Sequence, residues 1–439
     1  MKLTLLWTDI MVWILLFAII VWGRILSRSP QVQKQWKSIF KSSTALISSI
    51  ILIFYLFFAL LDSIHFRIKS SSNGYQSGMV TLLDIAFEHR IKNRERTYSA
   101  PFALNEYVKD IYIDKNGNST QIYRPLKFVH SGNIALNSLK ALVIGGVIST
   151  ILILIHIYWR KRKGSLKSEI AWHVAYITVF ILINIFTWLY IMSFDYHVLG
   201  TDKVGGDVLY QSLKSIRTGV LIGVLTTLVM LPMAVALGVS AGFFRGWIDD
   251  IIQYIYTTLN SIPSVLLIAA TVLLMQVVMD NNPQWFETVE QRSDLRLLFL
   301  VVILGVTSWT GLCRLLRAET LKISQIEFVT ASKAFGVSKF TIIRKHIIPN
   351  LMHIILISVV LDFSGLVLAE AVLSYVGVGV DPTMYSWGNM INQARLEMAR
   401  EPMVWWSLFS SFIFMFLLVL SANLFSDRVQ TVLDPRNAV

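Results

Sequence analysis

Two carboxylates lie inside a stretch of the chain that is otherwise almost entirely apolar. Asp362 and Glu370 stand eight residues apart between positions 351 and 376, a stretch long enough for a membrane helix. An aspartate at the centre of such a helix costs about 3 kcal/mol on insertion scales, and the surrounding Ile, Leu and Val offset that cost. A charged residue at this depth should face the interior of a helix bundle or a water-filled path. Asp362 is therefore a candidate for transport chemistry, or else it forms a hydrogen bond with a neighbouring helix.

Residue types that would support enzymatic or metal chemistry form no recognisable pattern in the sequence. The eight histidines make no metal cluster, since even His346 and His353, two helical turns apart, are separated by Pro349. The single cysteine, Cys313, allows neither an intramolecular disulfide nor a cysteine metal cluster. The sequence contains no Gly-x4-Gly-Lys-Ser/Thr phosphate loop and no nucleophile-elbow motif. It thus gives no support to an ATPase or a hydrolase.

A polar segment in the second half of the chain carries the signals of a short amphipathic helix. Ser324 and Glu327 have the spacing of a capping box, in which each side chain satisfies an exposed backbone N–H at a helix start. Phe328, Ala331 and Phe335 then recur on one face of the helix that follows. The pattern predicts a helix with an apolar stripe on an exposed part of the protein.

A second helix should complete this segment, which runs over residues 317–350. Gly336 supplies a left-handed stop for the first helix. Ser338 can cap a second helix over 339–348, which should end before Pro349. The segment is therefore expected to be a helix–turn–helix arm, separated by the proline from the apolar stretch after it. Its stripe lies either on anionic lipid headgroups or against another protein, and physics alone does not decide between the two.

Composition indicates that the arm and the carboxylates are held by membrane helices. Of 439 residues, 55% are apolar and only 15% are charged, and the mean hydropathy is +0.61. These values exclude an ordinary soluble enzyme, a disordered protein and a fibrous protein. Nine apolar runs are long enough to span a bilayer as helices. They cover residues 5–26, 44–61, 134–158, 170–192, 214–240, 251–278, 297–316, 351–376 and 404–425.

The distribution of charge predicts the orientation of these spans. Three loops on one side are rich in Lys and Arg, namely those after the first, third and seventh spans. The opposite loops, 193–213 and 279–296, are rich in acids. Basic short loops face the cytoplasm, so the N-terminus should lie outside and the C-terminus inside. The net charge of +12 then reflects membrane topology, and no nucleic-acid partner is expected.

Four regions follow from this pattern. Residues 1–61 hold the N-terminal transmembrane helices, and 62–133 form an extracytoplasmic insertion with strands expected near 107–113. Residues 134–192 form a helix pair, and 193–439 form the C-terminal region that contains the arm and the two carboxylates. The insertion is a candidate docking site for an external partner.

Several motifs, in order over about 240 residues, resemble the permeases of ABC importers. Residues 327–336 (EFVTASKAFG) with 347–350 (IIPN) resemble the EAA loop, the coupling helix that fits a cleft on the ATPase. Four further motifs resemble the C-type subunit of the dipeptide/oligopeptide/nickel importer family. They are residues 197–208 (HVLGTD through GDV), 241–264 (AGFFRGWID through SIPS), 369–388 (AEAVLSYVGVG through SWG) and 433–436 (LDPR).

The resemblance implies an all-α polytopic membrane protein with a type I importer core of six helices, here preceded by about three extra helices and the insertion. It implies a permease without cofactors of its own, which imports peptides across the bacterial inner membrane by alternating access. The implied partners are a second, B-type permease, two ATPase subunits or a fused ATPase that bind ATP and Mg, an extracytoplasmic substrate-binding protein, and membrane lipid. Residues that would couple to the ATPase are Glu327, Phe328, Ala331, Ser332, Phe335, Gly336 and Pro349. Asp362 and Glu370 would line the peptide path.

Two features depart from the family pattern. The usual Glu-Ala-Ala is replaced by Thr330, Ala331 and Ser332, so Glu327 would have to supply the coupling carboxylate unless it is used in the capping box. Family members usually have one helix before the Gly-Thr-Asp segment, and the second span resembles that helix as much as the fourth does. A different class of protein, a self-sufficient secondary transporter or channel that uses Asp362 and Glu370, is the alternative.

Overall fold

A computed structural model describes residues 2–26, 30–70, 74–113, 119–130, 132–163, 170–286 and 288–433. Most of these residues are helical. The helices, in chain order, are α1 (Trp7–Leu26), α2 (Pro30–Ile39), α3 (Ser43–Asp62), α4 (Leu82–Ala86), α5 (Glu88–Lys92), α6 (Ile134–Arg162), α7 (Trp172–Asp195), α8 (Val208–Phe244), α9 (Trp247–Ser261), α10 (Ser264–Asn281), α11 (Val289–Ile323), α12 (Glu327–Ala334), α13 (Lys339–Ile342), α14 (Ile348–Val376), α15 (Trp387–Glu397) and α16 (Trp406–Leu433). Five short strands accompany them: β1 (Lys2–Thr4), β2 (His65–Ser70), β3 (Gly74–Thr81), β4 (Asp110–Ile113) and β5 (Ser119–Ile122). Residues 434–436 of the C-terminal motif lie outside the described residues.

Eight of the helices within the described ranges are long and apolar enough to cross a membrane. They are α3, α6, α7, α8, α10, α11, the continuous helix Lys339–Val376, and α16. The predicted first span coincides with α1, but α1 contributes only a shorter apolar stretch, Trp7–Phe17, and is not one of the eight. The all-α polytopic fold predicted from the sequence is confirmed.

One predicted span is wrong in its extent. Residues 251–278 form two helices, because Ile262 adopts an extended conformation before Pro263 and ends α9. Proline disfavours a helical conformation in the residue before it. Only α10 is then a candidate span. α9 is amphipathic instead, and it buries Asp249, Ile252 and Tyr256 on one side.

The described chain forms two compact units. The first consists of Met1–Leu5, Leu26–Gly219 and Tyr385–Ser421. It contains the insertion, where β1, β2 and β3 form an antiparallel sheet and β4 pairs with β5, so the strand expected near 107–113 is present. In the same unit Tyr55 of α3 donates a hydrogen bond to the Phe414 carbonyl of α16, at 2.7 Å. This contact supports the second span as the first helix of the core.

The second unit consists of Leu6–Ile25, Val220–Met384 and Ala422–Val439. It holds two buried apolar clusters. One surrounds Trp309, Leu316 and Leu351 at the end that carries the arm, and the other surrounds Leu225 and Leu300. Glycines allow close helix packing here: a Cβ on Gly242 would lie 2.6 Å from Thr320, so α8 and α11 approach closely only because that position lacks a side chain.

Candidate functional site

The arm predicted from the sequence is present between α11 and α14. α12 and α13 are joined by a turn in which Gly336 adopts a left-handed conformation, with φ of +73°. Ser338 caps α13 and accepts a hydrogen bond from the Thr341 N–H at 3.4 Å. Both expectations, the glycine stop and the serine cap, are confirmed.

The arm is anchored by three aliphatic side chains and leaves its aromatic side chains outside. Val329, Ile342 and Ile347 are fully buried or nearly so. Phe335 is 87% exposed and Phe340 is 73% exposed. Large apolar side chains so fully in contact with solvent are typical of a surface that another protein covers. The stripe predicted from spacing, Phe328, Ala331 and Phe335, is exposed as a whole.

Ionic contacts fix the base of the arm within the second unit. Arg317 of α11 donates two hydrogen bonds to the Asp249 carboxylate of α9, at 2.5 and 2.7 Å. These bonds lower the pKa of Asp249, so the carboxylate remains charged near neutral pH. Arg245 donates to the Ser324 hydroxyl at 3.1 Å. Sequence reasoning did not detect this network, although Asp249 and Arg245 belong to the motif over 241–264.

Phe243 and Phe244 of the same motif contact two lysines of the arm. The Lys333 ammonium lies 4.9 Å from the centroid of the Phe243 ring, and the Lys339 ammonium lies 5.7 Å from that of Phe244. Cation–π contacts of this kind contribute about 0.5–1 kcal/mol each where they are exposed. The end of α8 therefore holds both short helices of the arm.

The predicted capping box does not form. Ser324 ends α11 and donates its hydroxyl hydrogen to the Leu321 carbonyl at 2.8 Å, while Ile326 stands at the N-cap of α12 without a side-chain cap. The prediction is wrong because α11 continues to Ile323, which leaves Ser324 within its final turn and not before α12. Glu327 is exposed, and its carboxylate forms no hydrogen bond within the described part of the chain.

The predicted break at Pro349 is also wrong. α13 passes through a π-helical segment, Ile343–Ile347, directly into α14, and the Ile348 N–H donates to the Ile343 carbonyl. In a regular α-helix the proline ring would clash with the carbonyl of Lys345, four residues earlier. The wider π turn changes the backbone register just before the proline and relieves that clash. The second helix of the arm is therefore continuous with a membrane span.

Thr330 and Ser332 stand where the family usually has Glu and Ala. Their side chains form hydrogen bonds within α12. The Thr330 hydroxyl donates to the Glu327 carbonyl at 2.9 Å, and the Ser332 hydroxyl donates to the Phe328 carbonyl at 2.7 Å. A cavity of about 440 Å³ lies beside this helix, lined by Phe328, Glu319 and His353 among others. Both hydroxyls are used within α12, so neither replaces the missing carboxylate.

The two candidate path carboxylates occupy different environments. Asp362 is partly exposed, and among the described residues its carboxylate has no hydrogen bond. Glu370 is buried and accepts a hydrogen bond from Ser374 at 2.7 Å, while the Ser374 hydroxyl accepts one from the Val380 N–H at 3.3 Å. Glu370 thus helps to order the turn after α14. The structure does not bring the two carboxylates together, and their role in transport stays a prediction.

The motif that begins at His197 forms a buried polar cluster with the insertion in the first unit. The His197 Nδ1 lies 2.8 Å from the Asp207 carboxylate, and its Nε2 lies 3.9 Å from the Glu95 carboxylate. The Thr201 hydroxyl accepts a hydrogen bond from the Ser99 N–H at 2.6 Å. The insertion therefore packs directly against the motif over 197–208. The spacing of residues in the sequence could not predict this contact.

This cluster predicts a pH-dependent contribution to stability. Burial alone would lower the pKa of His197, but the hydrogen bond to Asp207 and the nearby Glu95 carboxylate outweigh it and raise the pKa. A raised pKa stabilises the fold below the unfolded value of about 6.5, and the contribution disappears as pH rises through the folded pKa. We expect His197→Gln to lower the thermal unfolding midpoint more at about pH 6 than at about pH 9.

The control for this measurement is His173→Gln, which changes an exposed histidine of α7 in the same unit. Its unfolding midpoint should follow the wild type at every pH. Asp207 and Glu95 have lowered pKa values and stay charged over this range, so they add no pH dependence of their own. A loss of stability that is equal at both pH values would contradict the assignment of a raised pKa to His197.

A second buried cluster surrounds Lys214, near the start of α8. Its ammonium forms an ion pair with Asp84 and lies 3.6 Å from Asp62. The Tyr210 hydroxyl donates to Asp84 at 2.7 Å, and the Lys214 ammonium lies 5.6 Å from the centroid of the Tyr210 ring. Burial would raise the pKa of Asp84, but Lys214 outweighs it and holds that pKa low. Sequence reasoning missed this cluster, although a lysine at the start of an apolar span was the available signal.

Comparison with known proteins places these features in a family. The model of the binding-protein-dependent transport system inner membrane component matches residues 234–439. This range includes the arm, its base on α9, and both candidate path carboxylates.

Three relatives are similar in sequence over more of the chain than this match covers. The dipeptide transport system permease protein DppC of Bacillus subtilis is 32% identical over 55% of this chain and 69% of the relative. The glutathione transport system permease protein GsiD of Pectobacterium atrosepticum is 30% identical over 64% of this chain and 90% of the relative. The oligopeptide transport system permease protein OppC of Mycobacterium bovis is 31% identical over 54% of this chain and 76% of the relative. With this similarity and eight apolar helices in its described part, the chain is a multi-pass inner-membrane protein that belongs to the binding-protein-dependent transport system inner membrane components, the permease subunits of ABC importers.

Proposed function

We propose that this permease imports peptides and that a separate ATPase drives it through the arm. The observation that carries the proposal is the pair of exposed phenyl rings, Phe335 and Phe340, on an arm whose base is fixed by buried residues and ion pairs. Exposed aromatic side chains on a rigid support are the usual anchors of a protein interface. The ATP and Mg would be bound by the partner ATPase subunits, and the chain itself would carry no ATPase site.

The arm would transmit force as a rigid lever. Because α13 continues through the π-helical segment into α14, movement of the arm moves that span with it. The bidentate contact between Arg317 and Asp249 ties the preceding span, α11, to α9 in the same way. Closure of the ATPase subunits would shift both spans as rigid bodies and switch access between the two sides of the membrane.

Glu327 is proposed to supply the carboxylate that the usual Glu-Ala-Ala pattern provides. Its side chain is exposed at the start of α12 and is not used for capping. It could therefore pair with a cation on the ATPase. If Glu327→Gln left ATPase binding unchanged at low and high salt, this role would be excluded, because a charge pair at an interface is sensitive to salt.

The orientation is proposed to place the N-terminus outside and the C-terminus in the cytoplasm. Two contacts support this arrangement. The Thr8 N–H donates to the Asp294 carboxylate at 3.0 Å, so α1 and α11 begin at the same end of the second unit. In the first unit β1 pairs with β2 of the insertion. Labelling of a cysteine introduced at Ser119 or at Ser338, with a reagent that does not cross the membrane, would test the two sides.

The substrate and the remaining partners are proposed from the relatives. Two of them are named for dipeptides or oligopeptides, and the third is named for glutathione, itself a peptide. A second permease of the B type would complete the pathway, with Asp362 as a contact for the cargo. An extracytoplasmic binding protein would deliver the cargo, and the insertion is a candidate surface for that delivery.

The decisive experiment is uptake into vesicles that contain the complete complex and enclosed ATP. We expect uptake of a labelled peptide only when the binding protein and both ATPase subunits are present, and a loss of uptake with Asp362→Asn. ATP hydrolysis by the Asp362→Asn complex would confirm that the complex is intact. Uptake by this chain alone, driven by an ion gradient, would overturn the proposal in favour of a secondary transporter. Wild-type uptake by Asp362→Asn would remove only the role of that charge.

A further inference from the structure

An apolar groove lies between α3, α6 and α7 in the first unit and has no role in the transport cycle described above. Its volume is about 380 Å³. Leu46 and Ile50 of α3, Ile153 of α6, and Ala175 and Val179 of α7 form its walls. Along α3 the wall runs from Leu46 to Ile53, which corresponds to about 10 Å of helix.

Polar aromatic side chains close one end of the groove. The His156 Nδ1 lies 3.1 Å from the Tyr176 hydroxyl. The Arg160 guanidinium lies 4.5 Å from the centroid of the Trp172 ring and donates to the Tyr176 hydroxyl at 3.4 Å. Amphipathic rings of this kind occur at the boundary between hydrocarbon and headgroups. The groove therefore begins at that boundary and extends into the hydrocarbon.

Positive charge is concentrated at the same end. The described residues 30–61, 134–163 and 170–194 contain no acidic side chain. In α3 and α7 the only acids are the last residues, Asp62 and Asp195, at the opposite end of each helix from the start of α3. Arg160 lies at the closed end, and the other cations are its neighbours in the chain at the end of α6 or belong to the segment that precedes α3. The full set is Lys34, Lys37, Lys41, Arg160, Lys161, Arg162 and Lys163. Such a set of charges attracts anionic lipid.

We propose that this groove binds an anionic phospholipid, with an acyl chain between α3, α6 and α7 and the phosphate at Arg160. Stacking on Trp172 uses the face of the guanidinium, whereas a phosphate would share its N–H edge with the Tyr176 hydroxyl. A transmembrane helix from another protein is a poorer occupant, because a helix of about 20 residues would need a groove along the whole span. The lipid would add to the direct packing of α3 on α7, in which the ring centroids of Phe58 and Phe186 lie 4.8 Å apart.

The test uses the complete complex in mixed-lipid nanodiscs with a photoreactive phosphatidylglycerol that carries a diazirine on its acyl chain. Cross-links should map to the groove walls, such as Ile153 and Val179. Unlabelled phosphatidylglycerol should compete and phosphatidylcholine should not. Arg160→Gln should lower labelling about fivefold, since one cation near anionic lipid contributes a factor of that size. Ala175→Leu, which fills the groove, should lower labelling for either headgroup.

The matched control is Lys140→Gln, which removes an exposed cation of α6 about 30 Å along the helix from Arg160. It should label like the wild type. Equal labelling by phosphatidylcholine and phosphatidylglycerol analogues would reduce the site to ordinary lipid contact and overturn the proposal. An absence of groove labelling in the complete complex would show that protein covers the groove, and would overturn it as well. Co-purification of all subunits with the Arg160→Gln and Ala175→Leu variants separates loss of lipid from loss of assembly.

Discussion

Replacement of Phe335 by aspartate is expected to weaken binding of the ATPase subunits by at least about 30-fold. The Phe335 ring is 87% exposed in the free chain, and aromatic anchors at protein interfaces typically contribute 2 kcal/mol or more. An aspartate would in addition leave a carboxylate to be desolvated in an apolar cleft. Titration of purified ATPase subunits onto the permease complex measures the affinity directly. Peptide uptake should fall in parallel.

The stability of the permease should not change with this substitution, because Phe335 makes no buried contact that could be lost. An unchanged thermal unfolding midpoint therefore separates a loss of docking from a loss of folding. Trp285→Asp is the matched control: this tryptophan is also exposed, and it lies in the connection between α10 and α11, away from the arm. ATPase binding should be unaffected. If Phe335→Asp and Phe340→Asp both bound the ATPase with wild-type affinity, the arm would not be the docking element.

Lys214→Met is expected to destabilise the first unit by about 3–5 kcal/mol. The substitution removes the cation between Asp62 and Asp84 and leaves two carboxylates buried, and loss of one partner of a buried ion pair typically costs this amount. Unfolding of the purified permease by heat or denaturant should begin earlier, and the insertion should become sensitive to protease. Transport should be lost because the first unit unfolds, and not because the arm no longer binds the ATPase.

A double substitution distinguishes the ion pair from simple packing. Lys214→Met combined with Asp84→Asn removes one charge of each sign, so its destabilisation should be less than the sum of the two single effects. Lys203→Met, at an exposed lysine of the same unit, should have little effect. Strict additivity of the two single substitutions would contradict a direct interaction between Lys214 and Asp84.

Short-range signals in the sequence were sufficient for much of the arm. Hydropathy predicted the spans on either side of the arm. The conformational freedom of glycine predicted the turn at Gly336. The capping preference of serine predicted that Ser338 precedes the start of α13. These properties depend on a few neighbouring residues. The same reasoning failed at Ser324 and Pro349, because the outcome there depends on how far the preceding helix extends. α11 extends to Ile323, so Ser324 ends that helix and does not cap α12, and the π turn accommodates the proline.

The sequence by itself determined the class of the protein: a polytopic helical permease with a basic arm, identifiable from hydropathy and from motifs that occur in family order. Only the tertiary structure decided what the charged residues do. Lys214 meets Asp84 across 130 residues, and Arg317 meets Asp249 across 68. Glu95 of the insertion lies near His197, although α6 and α7 stand between them in the chain. No local preference encodes such pairs, since each depends on helices and strands being packed first. The exposure of Phe335, and not its place in a pattern, is what makes the arm a candidate surface for another protein.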